Sequence, residues 1–431
     1  MKEAVAADAY QKTVLENGLR VITAELPHTR SVSIGFFIGV GSRYEEKSIG
    51  GISHFLEHML FKGTERRPSS EAISAAVEGV GGVFNANTGK EVTTYWAKVP
   101  AGRRSLAVDV LVDMLQHSKI EAEELERERK VIIEEINMIL DDPDDWAGLL
   151  IGELLWPDHP LGREVIGTKE TISSIDRQTM VEYLSRAYRP SSTVVCMAGR
   201  VEHGEVVEEV QTALGEWEPE DRLDFLPMAD GQDGPRVRVG TKETEQAHLI
   251  LSLHGIPRKH PDRYALRIMN SVLGEGMSSR LFLEIRERRG LAYSVHSYVS
   301  HLTDAGTVGV RAGVTPDRLE RALQAILEQL ARLRSEPVPA AELEKSREYV
   351  KGRLELQMED TLSVAGWLGQ QEILDDRILT VDEVIASLDG VSAEGVQRVA
   401  QELLRPETLN LVLVGPFPES DADRLKGLLT L

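Results

Sequence analysis

His54-Phe55-Leu56-Glu57-His58 (HFLEH), the start of the longer run HFLEHMLFKGT, sets two imidazoles and a carboxylate within five residues. A helix turns about 100° per residue, so His54 and His58 fall roughly 40° apart, one turn above the other. Both rings can therefore reach one metal ion. Glu57 projects near the same face, close enough to act on a water at such an ion and badly placed to be a third ligand. That is the position of a general base. The plainer alternative is two histidines on an amphipathic helix, and a third ligand decides between them, because a catalytic zinc takes three protein ligands and keeps one position open.

The order HxxEH inverts the commoner HExxH zinc motif. Further along, the stretch Glu124 to Ile136 (ELERERKVIIEEI) has no glycine or proline and repeats apolar residues at helical spacing, which predicts a helix. Glu128 and Glu135 lie nearly two turns apart and share a face, whereas Glu134 points about 100° away. Glu135 is read as the third ligand. Glu128 is read as a carboxylate standing behind the ligands, where it can orient a histidine without touching the metal. Glu123, Glu124, Glu126 and Lys130 read as a solvated charged face.

HFLEHMLFKGT, a gap of 76 residues after His58 and then Glu135 within ERKVIIEEI together resemble the pitrilysin and insulinase family of zinc peptidases. Among its branches the chain is most similar to the mitochondrial processing peptidase beta subunit and its short bacterial relatives, from about Thr13 to Val414. The resemblance implies one Zn²⁺ per chain, held by His54, His58 and Glu135, with Glu57 as general base. It implies a zinc-dependent endopeptidase acting on unstructured peptides or presequence-like segments enclosed between two domains.

Two further segments match. Phe84-Asn85-Ala86-Asn87-Thr88 resembles the family's edge strand, where an extended substrate pairs with the backbone and Asn85 faces the scissile carbonyl. On its residues alone it is a polar strand after the Gly81-Gly82 turn, as in any hairpin. Arg286 and Tyr293, in RERRGLAY, resemble an arginine and tyrosine pair that reaches the zinc site from the second half, the guanidinium offering donors to peptide carbonyls and the phenol a donor to an oxyanion. On their own they read as a surface charge and a half-buried tyrosine. The loop Gly274-Glu275-Gly276-Met277-Ser278-Ser279-Arg280 departs from the family's glycine-rich loop in carrying a glutamate between glycines.

The alternative function is a non-catalytic scaffold or substrate-capturing subunit, a role some family members have. The complete ligand set, the base and the Arg286 and Tyr293 pair favour catalysis. Because both sets sit in one chain, a monomer, a homodimer or a heterodimer with a related subunit are all compatible with it.

Composition bounds the rest. At 431 residues the chain predicts two or three domains, and 42% hydrophobic content is ordinary for a water-soluble protein. A net charge of -21 argues against nucleic acid and anionic membranes as partners and favours basic peptide substrates. The lone cysteine, Cys196, lies in the apolar run TVVCMA and reads as a buried strand residue. The first residues lack an apolar core of signal-peptide length and no apolar span reaches membrane length, so a cytoplasmic location is the default expectation.

The chain also repeats itself. Arg189-Pro190 leads into a strand ending at Gly199, and 216 residues later Arg405-Pro406 leads into a strand ending at Gly415. Leu125-Glu126-Arg127 is echoed by Leu343-Glu344-Lys345, a register that puts Ser346 at the place of Glu128 and Arg353 at that of Glu135. The helix from Ala265 to Leu273 has Ala265 and Met269 where the first copy has histidines. Three echoes in one order predict a duplication in which only the first copy keeps its ligands. The expected fold is α+β: two homologous halves, each a mainly antiparallel sheet covered by helices, facing each other as a clamshell. The boundaries read as a catalytic zinc-binding domain over 1–215, a polar linker over 216–236, and a non-catalytic domain over 237–431 that supplies Arg286 and Tyr293.

Overall fold

A computed structural model of the chain describes residues 10–219, 222–229, 231–375 and 377–431. It is a mixed α+β protein of two compact units: 1–136, 163–226 and 354–382 form the first, and 137–162, 227–353 and 383–431 the second.

The first unit holds a six-stranded sheet of β1 (Tyr10–Val14), β2 (Arg20–Glu25), β3 (Ser31–Ile38), β4 (Val83–Thr88), β5 (Thr93–Pro100) and β6 (Thr193–Gly199), in the order β1-β2-β6-β3-β5-β4. Only β2 and β6 run parallel. The apolar run of β6 is buried along its whole length, as a strand covered on both faces must be, whereas β4 is polar and alternates between exposed and half-buried positions. Its place at the edge of the sheet follows, since only an edge strand leaves one row of backbone groups to solvent. Cys196 is buried in the middle of β6, and burial pushes its thiol far above the ordinary range.

The second unit holds β7 (Arg236–Thr241), β8 (Ala247–His254), β9 (Ala292–His301), β10 (Gly306–Val314) and β11 (Asn410–Gly415), in the order β7-β11-β8-β10-β9, with β7 and β11 parallel. This repeats β2-β6-β3-β5-β4 strand for strand, including the single parallel pair. Side chains repeat as well. Arg129 donates to the Ile175 carbonyl at 2.7 Å, and Arg347, 218 residues on, donates to that of Val391. At the matched helical positions Leu125, Ile132 and Ile136 are buried, and so are Leu343, Val350 and Leu354.

Each compact unit is assembled from three separate stretches of the chain. The helix Thr361–Leu374 packs on β3 and β6 in the first unit, where Val364, Ala365 and Leu368 join Phe37, Val194 and Cys196 in one core. The helix Pro143–Leu155 packs on β8 and β11 in the second, with Ala147, Leu150 and Ile151 against Ile250, Val412 and Val414. Apolar faces pair by shape and area, not by order along the chain. Up to residue 235 the linker segment has no helix or strand among its described residues, its last residue, Arg236, opening β7, yet it is fastened. Arg43 stacks on Phe225 at 3.8 Å and donates to the Leu226 carbonyl at 3.1 Å. Arg222 donates to the Ser191 carbonyl at 2.7 Å.

Candidate metal centre

The site is built on the helix Ile52–Leu60 of the first unit. The helix starts at Gly51, whose φ of +93° suits glycine, and a Cβ there would lie 2.5 Å from the Ile166 carbonyl oxygen. Its first amides are capped by the Glu45 carboxylate, which accepts from Gly51 N at 2.7 Å and Ser53 N at 2.8 Å. Burial raises the Glu45 pKa even against those bonds. Ile52, Phe55, Leu56, Met59 and Leu60 face the core, leaving His54, Glu57 and His58 on the half-buried side.

There the histidine rings lie edge to face with centroids 4.7 Å apart. Glu135 reaches them from the helix Ala122–Asp141, and the ligand atoms of His54, His58 and Glu135 all lie within 4.8 Å of one another. Glu134 is exposed, on the other side of its helix. The trio fits a divalent cation of the zinc type, with two imidazole nitrogens and one carboxylate. Burial, and then the neighbouring His58, lowers the His54 pKa to about 4, so the ring is neutral at pH 7 as a ligand must be. Its Nδ1 is buried with no hydrogen-bond partner among the described residues, a cost that a bound group would relieve.

Glu128 is buried behind the trio. Its Oε2 lies 3.1 Å from His58 Nδ1 and its Oε1 lies 2.6 Å from Lys62 Nζ. Burial alone would raise its pKa, but the bonds to His58 and Lys62 outweigh that and lower it. Ionised, it accepts a hydrogen bond from Nδ1–H and leaves Nε2 of His58, which lies 3.6 Å from Glu135 Oε2, to face the ligand position.

Glu57 sits beside the trio with a raised pKa, chiefly through burial, with hydrogen bonding to Thr88 and the nearby His58 acting the other way. The Thr88 hydroxyl donates to its Oε2. The hydroxyl of Tyr95 in β5 bonds that of Tyr188, which ends the helix Arg177–Ala187, at 2.8 Å, both tyrosines being buried, and Phe61 packs on Phe84 at 5.5 Å, joining the histidine helix to β4.

Asn85 is exposed on β4, where its Oδ1 accepts from Ala86 N at 2.8 Å. Arg286 and Tyr293 belong to the second unit and meet each other. A π-helical turn, Phe282–Arg288, holds the Arg286 guanidinium 5.0 Å from the Phe282 ring and 5.2 Å from that of Tyr293. Tyr293 is 74% exposed at the start of β9, not half-buried, because a residue near the first turn of an edge strand has little packed over it. Glu275 is held by Arg267 and by Asn270 Nδ2 at 2.7 Å, so the glutamate between the glycines fastens its loop, while Met277 next to Gly276 is exposed.

Sequence reasoning assigned no role to Thr88, Lys62 or Glu45. Thr88 closes the FNANT segment and Lys62 lies one turn after His58, so both were adjacent to motifs already noticed. Glu45 carries no local signal.

Comparison with known proteins places the chain in a family. Residues 20–169 match the family described as Insulinase (Peptidase family M16), and residues 174–350 match the Peptidase M16 inactive domain. An uncharacterized zinc protease of Bacillus subtilis is 39% identical over 93% of this chain and 97% of its own length. One of Streptomyces coelicolor is 37% identical over 96% and 91%. Among solved structures, a protease from Helicobacter pylori superposes with a TM-score of 0.90 at 24% identity, covering 95% of this chain and all of that one. A chain of complex III2 from Candida albicans shares the fold with a TM-score of 0.82 at 16% identity, covering 98% and 100%. With both family domains matched in order and curated relatives aligned over nearly their whole length, the chain belongs to peptidase family M16, the insulinase family.

Proposed function

We propose that this chain is a zinc-dependent endopeptidase that hydrolyses unstructured peptides or presequence-like segments, with one Zn²⁺ on His54, His58 and Glu135 and with Glu57 as general base. The observation that carries the reading is the ligand trio with a half-buried carboxylate beside it on the same helix. Zinc supplies a Lewis acid that polarises a peptide carbonyl and acidifies water. The residues do the rest. His54 is kept neutral by burial, and Glu128, held by Lys62, fixes the tautomer and orientation of His58. Glu57, its proton affinity raised by burial, takes a proton from the attacking water and returns it to the leaving amine.

The free edge of β4 offers backbone groups to an extended peptide, an addition governed by main-chain hydrogen bonds and therefore loose in sequence preference. Asn85 on that strand can turn its amide from its own backbone to the peptide. Arg286 and Tyr293 are assigned as further peptide contacts, the stacked guanidinium presenting donors to carbonyl oxygens and the exposed phenol a donor to developing negative charge. The complete trio and the base favour this reading over a scaffold role.

The test is cleavage of a mixed library of unstructured peptides by wild type and by Glu57→Gln, with zinc quantified in both. Zinc in both proteins, and turnover in the variant lower by about 10²- to 10⁴-fold, is expected. Turnover near that of wild type in Glu57→Gln would remove Glu57 from the chemistry, and absence of zinc would remove the ligand assignment.

A further inference from the structure

The geometry points to Thr88 as the positioning residue for Glu57, its hydroxyl holding one carboxylate oxygen so that the other is the one presented to water. This inference rests on the reading of Glu57 as the base and specifies how that base is aimed. A glutamate has three side-chain torsions, and on a helix its carboxylate sweeps a wide arc unless something stops it. Among the described residues, the side-chain group donating to Glu57 is the Thr88 hydroxyl, on Oε2. Oε1 is then the oxygen left for proton transfer, and its direction is set by the bond on the other side of the carboxylate. A proton acceptor misplaced by about an ångström costs of the order of 10²-fold in rate, so such an anchor has kinetic consequences.

Thr88 is itself rigidly mounted. It is the last residue of β4, opposite Thr93 of β5, and the Thr93 hydroxyl donates to the Val40 carbonyl at 3.0 Å. Just beyond it, Gly89 N donates to the Val92 carbonyl at 2.8 Å and closes the turn. That turn is sewn to the segment leading into the histidine helix: Ser42 N donates to the Gly89 carbonyl at 3.2 Å and Arg43 N to that of Lys90 at 2.9 Å. The approach is so close that a Cβ on Gly41 would sit 2.2 Å from the Gly89 carbonyl oxygen. A β-branched side chain adds a stiff χ1 to this mount. Thr88 also shares its strand with Asn85, so the anchor of the base and the edge open to an extended peptide are parts of one rigid element.

Valine is the near-isostere that removes only the hydroxyl. Steady-state kinetics of Thr88→Val, Thr88→Ser, Glu57→Gln and the double variant Thr88→Val with Glu57→Gln, each with zinc content and thermal unfolding recorded, test the assignment. Thr88→Val is expected to lower kcat about 10- to 100-fold with KM and zinc stoichiometry unchanged, and Thr88→Ser to recover activity to within a few-fold of wild type. The double variant is expected to be no slower than Glu57→Gln alone, because an anchor has nothing to aim once the base is gone. Should Thr88→Val unfold, Thr88→Ala carries the same comparison. Wild-type kcat in a folded Thr88→Val alongside an inactive Glu57→Gln would overturn the role of Thr88 alone, as would multiplicative losses in the double variant. An active Glu57→Gln would overturn the base and this inference with it.

Discussion

Lys62 is linked to His58 through Glu128. Its ammonium holds one oxygen of Glu128 at 2.6 Å, and the other oxygen lies 3.1 Å from His58 Nδ1. Removing the charge at the centre of this line should loosen both ends. Glu128→Gln is therefore expected to weaken zinc binding by about 10- to 100-fold, read by competition with a chelator of known affinity, and unchanged affinity would show that His58 is oriented without it. The grouping of the candidate ligands was legible in the sequence because a helix fixes which positions share a face: His54 with His58, and Glu135, not Glu134, with Glu128. Lys62 and Thr88 were not. Their roles depend on side-chain torsions and on which strand end meets the histidine helix, and neither follows from spacing along the chain. Arg286 and Tyr293 were legible only by resemblance, since the π-helical turn that brings them together leaves no periodic mark.

At the scale of elements, the helix Thr361–Leu374 shows how tightly a sheet can dictate what lies on it. The Phe37 ring lies over Gly35 of its own strand and under Gly369 of the helix, and a Cβ on either glycine would come within 2.6 Å or 2.2 Å of the ring. Glycine in a helix interior costs about 1 kcal/mol relative to alanine, so its presence at 369 reflects this close packing. Because Phe37 is bounded on both sides, the ring cannot swing away from a new side chain. Gly369→Val is expected to destabilise the protein by about 1–3 kcal/mol, measured as a lower urea midpoint, and an unchanged midpoint would mean that the helix can ride up on the sheet. Most strands were readable from apolar runs and alternation: Ser31 to Gly39 became Ser31–Ile38, and Ala247 to Leu253 became Ala247–His254. Which sheet each helix covers was not readable. The apolar faces of Thr361–Leu374 and Pro143–Leu155 fit a sheet in general, and nothing in their periodicity selects one.

At the scale of the whole molecule, duplication accounts for the repeated strand order, and Ala265, Met269 and Arg353 at the places of His54, His58 and Glu135 account for the one candidate ligand trio among the described residues. The net charge of -21 belongs to neither copy in particular and acts at longer range. Such a field raises the local concentration of cationic peptides and is screened within about 10 Å at 0.1 M salt. Two unstructured peptides with the same cleavage site, one flanked by lysines and one by serines, separate this effect from chemistry at the zinc. Raising salt from about 20 to about 300 mM is expected to lower kcat/KM several-fold for the basic peptide and to leave the neutral one nearly unchanged, with kcat insensitive for both, because steering acts on encounter. Equal salt responses would confine the acidic surface to a role in solubility. A response in kcat instead would place the charge effect in the bound complex, where the residues around Glu57 are the ones to examine.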